Sequence, residues 1–195
     1  MKLMRDRGIL ILGELPIMFQ GGGPIRNENI LKYFTKKINF EFIPSIYNIR
    51  EALKSKNYKE KLLYKIEELN LNVPNKILNF LQYKRYISTI DLILSIYKIL
   101  KDYKYSLIYS QADVPEDLLL LSKLNGKNKG FLIQGIWFFR NFLEDIKIDY
   151  YTIKDIGFIE KSIQRIIYRN LYVHYIAKNI NFINTINPAV PEFYL

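Results

Sequence analysis

Three consecutive glycines, Gly21-Gly22-Gly23, follow the apolar run Gly8-Ile9-Leu10-Ile11-Leu12-Gly13 and directly precede Pro24 and a helix-like segment. Glycines remove every Cβ where the chain would enter a helix, and proline suits a first helical turn. A bare helix N-terminus offers unpaired N–H groups and a partial positive charge, so the chemistry indicated is the binding of phosphate or another anion. The same glycines also fit a plain surface loop. Arg26, in the expected first turn, can pair with phosphate or lie on the surface. Gln111 and Asp113 follow a second apolar run, Tyr105 to Tyr109, where both can bind ligand hydroxyls. Asp113 equally suits the cap of a helix opening near Pro115. Gln134 and Gly135 close a third run, Gly130-Phe131-Leu132-Ile133.

These residues need elements to position them, and the hydrophobic pattern supplies candidates. Four apolar residues between Gly8 and Gly13 read as a strand buried on both faces, as in a parallel sheet. Ile38 to Ile43 alternates like a strand and stops at Pro44-Ser45. From about Ile46 to Lys101 the pattern is helical, with breaks near Asn57 and from Asn70 to Pro74. Leu62, Ile66 and Leu69 share one face there, as do Ile87, Ile90, Leu94 and Tyr97. Val114-Pro115-Glu116-Asp117 opens a further helix, and Asn125-Gly126 suits its end. A long helix from about Ile153 to Lys178 and a last strand from Asn181 to Ile186 complete the expectation. Strands alternating with helices predict an α/β fold: a single Rossmann-like domain over residues 1–186, with a mostly parallel sheet flanked by helices. Asn187 to Phe193 reads as the start of a linker or tail, residues 187–195. Ligands of such sheets gather beyond the carboxyl ends of the strands. The loops at Gly13-Glu14, at Ser110 to Asp113 and at Gln134-Gly135 should therefore converge with the glycines on one crevice.

Composition excludes several chemistries. A chain of 195 residues with 49% hydrophobic residues can bury a sizeable core, which argues against disorder. It contains no cysteine and one histidine, so disulfides and thiolate nucleophiles are excluded and a transition-metal site is not expected. His174, in the aromatic stretch Leu171 to Tyr175, reads as packed and hydrogen-bonded rather than catalytic. The apolar runs fall short of the roughly 18 residues of a membrane span, and no signal-type segment follows Met1, so a cytoplasmic location is expected. A net charge of +10 favours anionic partners without choosing among membrane, nucleic acid and phosphorylated substrate.

The glycines ahead of Pro24-Ile25-Arg26-Asn27 resemble the Gly-Gly pair after the opening strand of GT-B glycosyltransferases, specifically the retaining family 4 type. The segment from Ser106-Leu107-Ile108-Tyr109-Ser110 through Phe131-Leu132-Ile133 is similar to that family's strand, loop, helix and strand. The resemblance implies the acceptor-side half of a two-domain enzyme that moves a sugar from a nucleotide-sugar donor to a sugar or lipid-linked acceptor, with no further cofactor. It implies substrate contacts at Gly21, Gly22, Gly23, Arg26, Gln111, Asp113 and Gly135. Glu14, after the first strand, fits an acceptor contact but more readily a solvated loop carboxylate. Gln134, the candidate catalytic residue, stands where many members carry a histidine near the transferred sugar; its amide can hydrogen-bond a hydroxyl but cannot exchange a proton at neutral pH. Retaining transfer of this type needs no general base in a fixed motif. The donor-gripping acidic motif belongs to the family's C-terminal half, so this chain alone is expected to need that domain or a partner subunit for activity.

A second reading is a non-catalytic module of the same shape on an anionic membrane surface or a protein partner. Lys161, Arg165 and Arg169 recur every four residues opposite Ile163, Ile166 and Ile167, giving an amphipathic basic helix. Each such cation contributes about 1 kcal/mol near anionic lipid. Lys54, Lys56, Lys59, Lys61 and Lys65 form a second basic stretch. Trp137, Phe138 and Phe139 fit either a core or an apolar acceptor groove. Nucleic acid ranks last, because no recognised motif accompanies the charge.

Overall fold

The computed structural model describes residues 5–17, 22–84, 88–111, 114–133 and 177–185. Five strands form one sheet: β1 (Arg5–Gly13), β2 (Phe40–Pro44), β3 (Tyr103–Ser110), β4 (Asn125–Ile133) and β5 (Phe182–Thr185). Their order is β2-β1-β3-β4-β5, and all four pairings are parallel. Helix α1 (Gly22–Phe34) joins β1 to β2. Helices α2 (Ile46–Lys54), α3 (Lys56–Glu68), α4 (Asn75–Tyr83) and α5 (Thr89–Leu100) join β2 to β3, and α6 (Pro115–Lys123) joins β3 to β4. A 3-10 turn, Ala177–Asn179, leads into β5. The chain is thus α/β with a parallel sheet flanked by helices, as its alternating pattern predicts.

The apolar run of β1 is central because it is apolar on both sides: Leu10, Ile11 and Leu12 are all buried. Fully buried Phe42, Ile43, Ile108 and Phe131 continue the core across the sheet. The exposed edge of β2 is covered by the loop after α3, where Phe42 N–H donates to Asn72 O at 2.9 Å. Near the opposite end of β1, Tyr105 donates to Glu41 Oε2 at 3.0 Å, and Arg7 pairs with the same carboxylate. Burial pushes the Tyr105 phenol up to about 12.

Several expectations differ from the structure, among them the helical stretch from Ile46 to Lys101, which breaks a further time between Tyr83 and Thr89. The break expected near Asn57 falls at Ser55, which ends α2 and caps α3 by accepting from Tyr58 N–H. Asn125 and Gly126, expected to end a helix, instead open β4. That polar half-strand is held by backbone pairing with β3 and by Asn128 Nδ2 donating to Ser106 O at 3.3 Å, so no apolar pattern announces it. On α5 the core face is Leu92, Ile93, Ile96 and Leu100, whereas Ile90 and Leu94 point outward at 71% and 47% exposure. An apolar stripe on each side made the inward face ambiguous. The aromatic region from Trp137, the stretch expected as a long basic helix and His174 lie outside the described residues.

Candidate functional site at the carboxyl edge of the sheet

The connection from β1 runs to one side of the sheet, to β2, while the connections from β2 and β3 run the other way. Right-handed crossovers then put α1 on one face and α2 to α6 on the other, leaving a switch point between the carboxyl ends of β1 and β3. Gly13 and Gln111 meet there. Gln111 N–H donates to Leu12 O at 2.8 Å, and its fully buried side chain lies across Gly13. A Cβ on residue 13 would collide with Gln111 Oε1 and sit 2.8 Å from Phe42 Cε2. Glycine is therefore needed for close approach, not for an unusual backbone angle.

The loop after β1 is locked by a buried asparagine from α2. Asn48 Oδ1 accepts from Leu15 N–H at 2.6 Å, and Asn48 Nδ2 donates to Leu15 O at 3.1 Å. Ser45 holds Asn48 in turn: its Oγ accepts from Asn48 N–H at 3.1 Å, and its own N–H donates to Gly13 O at 2.7 Å. Neither residue stood out in the sequence, since a capping serine followed three residues later by asparagine is common at helix starts.

Gly22 and Gly23 begin α1, with Pro24 in its first turn. Arg26 lines a largely apolar hollow of about 600 Å³ along α1 with Ile25, Asn29, Ile30, Tyr33 and Phe34. Its Nε and Nη2 are buried and make no hydrogen bond among the described residues. Arg26 thus places a cation near the start of α1, along its side.

On the other face, Asp117 in the first turn of α6 is fully buried and accepts from Ile46 N–H, the first residue of α2, at 2.7 Å. Its Oδ2 has no partner among the described residues. Burial raises its pKa to about 7, against the opposing effect of the Ile46 hydrogen bond, and the nearby Glu116 and Glu14 charges add to the rise. Glu14, read as a solvated loop carboxylate in preference to an acceptor contact, is half-buried, and burial raises its pKa as well. Sequence reasoning took Asp117 for an ordinary first-turn acid; only its 71-residue separation from Ile46 reveals a clamp between two helix starts.

Of the other expected contacts, Gly21, Asp113, Gln134 and Gly135 lie outside the described residues, as do Lys161, Arg165 and Arg169. The N-cap of α6 falls on Val114, which makes no side-chain capping bond. Among the described residues no three His, Cys, Asp or Glu side chains are grouped to hold a metal ion, and no helix is long and apolar enough to cross a membrane. Comparison of the chain with protein-family models, with curated proteins and with solved structures finds no match.

Proposed function

We propose that this chain is the acceptor-side domain of a glycosyltransferase that uses a nucleotide-sugar donor. The observation that carries the reading is the switch point itself: the carboxyl ends of β1 and β3 side by side, with a helix opening on Gly22-Gly23 after β1. The α1 N–H groups and Arg26 would hold a phosphate-bearing group by charge, while the Asn48 clamp keeps the intervening loop start in place. In the transfer, the acceptor hydroxyl oxygen bonds to the anomeric carbon and the bond to the diphosphate breaks. The electron pair stays on the diphosphate oxygen, which also takes the hydroxyl proton, so a fixed protein base is not required. A C-terminal domain or partner subunit would grip the nucleotide.

Amide NMR of the full chain tests this. Uridine or guanosine diphosphate hexoses should shift the Gly22, Gly23 and Arg26 amides, and Arg26→Glu should weaken binding about tenfold, the loss of one charge-assisted contact. If neither nucleotide sugar moves those amides, the reading falls.

A further inference from the structure

A second hollow, of about 490 Å³, lies between the loop after β1 and helix α3, lined by Pro16 and Ile17 on one side and by Asn57, Glu60, Lys61, Tyr64 and Lys65 on the other. Its volume is in the range of small-molecule sites. We propose that this groove binds a phosphorylated polyol, a sugar phosphate or a phosphoinositol-type headgroup, as the acceptor's recognition element. The inference rests on the acceptor-side reading and names the substrate class.

One wall is rigid. Ile17 is buried, its N–H donates to Leu15 O at 2.9 Å, and Leu15 is held at both backbone groups by Asn48. The other wall is one face of α3, on which Asn57, Lys61 and Tyr64 follow at spacings of four and three residues. The cations around the groove are unequal. Lys65 is engaged by Glu28 at 3.2 Å and Glu68 at 2.8 Å, and Glu60 stands 3.8 Å from Lys56. Lys61 forms no ion pair among the described residues; its Nζ lies 5.7 Å from the Tyr58 ring centroid. The groove therefore presents one uncompensated positive charge, suited to a phosphate. Tyr64, 62% exposed, offers an aromatic face for the apolar side of a sugar or cyclitol ring, with its hydroxyl toward water. The Asn57 amide and Glu60 carboxylate supply the donors and acceptors that hydroxyls need.

The test follows the Asn57 to Lys65 amides of the full chain by NMR in two arms. One titrates a hexose 1-phosphate, with the free hexose and inorganic phosphate as controls; the other adds phosphatidylcholine vesicles with or without phosphatidylinositol. Shifts in the groove with the soluble ligand assign a free sugar phosphate, and shifts only with the inositol lipid assign a lipid-borne headgroup. In either case Lys61→Glu should weaken binding about tenfold and Tyr64→Ala several-fold, while Lys98→Glu on α5, outside the groove, leaves it unchanged. No shift in either arm, or equal behaviour of Lys61→Glu and Lys98→Glu, overturns the proposal. Groove binding without any nucleotide-sugar effect at Gly22 and Gly23 would uphold the groove and sink the transferase reading. The reverse pattern would sink the groove alone.

Discussion

Two glycines in the sheet do the same steric job for opposite ends. At Gly13 the missing Cβ admits the amide of Gln111 from the next strand; at Gly130 it admits the ring of Phe182. Tyr109, Gly130 and Phe182 lie in register on β3, β4 and β5, and the Phe182 ring crosses the glycine to stack on Tyr109 at 6.1 Å with a 10° tilt. That contact is all apolar area and stacking, which is what tying an edge strand to the sheet requires. The Gly13 contact buries a polar amide at the carboxyl edge, where a leucine would fill the space without any polar group to satisfy. A packing device thus fastens the β5 edge, while the same geometry at the switch point buries a hydrogen-bonding side chain.

Substitutions can break that contrast, beginning with the largest effect. Gly13→Ala must displace both Gln111 and the core ring of Phe42, and should lower unfolding stability by about 2–3 kcal/mol in urea titrations. Gly130→Ala, whose Cβ would fall 2.6 Å from Phe182 Cδ2, should cost about 1–2 kcal/mol because only a ring must swing away. The cost should largely vanish in a Phe182→Ala background, and an additive double-mutant cycle would refute the stacking account.

The third prediction concerns the polar edge through Asp117, whose pKa in the fold is about 7 against an ordinary 3.8. The folded chain keeps a proton that the unfolded chain releases, so this group's contribution is complete below about pH 4. It declines as pH rises to about 7, at about 1.4 kcal/mol per pH unit. Asp117→Asn, whose amide oxygen can still accept from Ile46 N–H, should flatten that slope in chemical unfolding measured from pH 5 to 8. A slope unchanged by the substitution would remove Asp117 as its source. Smallest in stability is Gln111→Leu, expected within about 1 kcal/mol of the parent as a swap of similar volume. It should nevertheless abolish nucleotide-sugar shifts at Gly22 and Gly23. Equal loss of stability and binding would make Gln111 a packing residue like Phe182.

How far the molecule was legible depends on the range over which each pattern acts. The run Ile9 to Leu12 announced a doubly buried strand because apolar side chains on both faces leave few other environments. Pro24 after the glycines announced the start of α1, and Leu62, Ile66 and Leu69 announced the inward side of α3 and its end. Each of these signals is complete within about one helical turn or a few strand residues. Asn48 on Leu15 and Asp117 on Ile46 carried no such signal, because a polar residue near a helix start reads the same whether it faces water or a distant backbone.

The order and type of the apolar elements and the excess of positive charge were therefore determined by sequence alone, since propensity, periodicity and composition act without partners. Which side of α5 turned inward, that Asn125 to Lys129 became strand, that Gly13 received Gln111 and that Lys61 lines a groove without an ion pair among the described residues were decided by tertiary structure. Those outcomes depend on what lies opposite each residue once the sheet has assembled, and burial and charge pairing are properties of neighbours, not of sequence position.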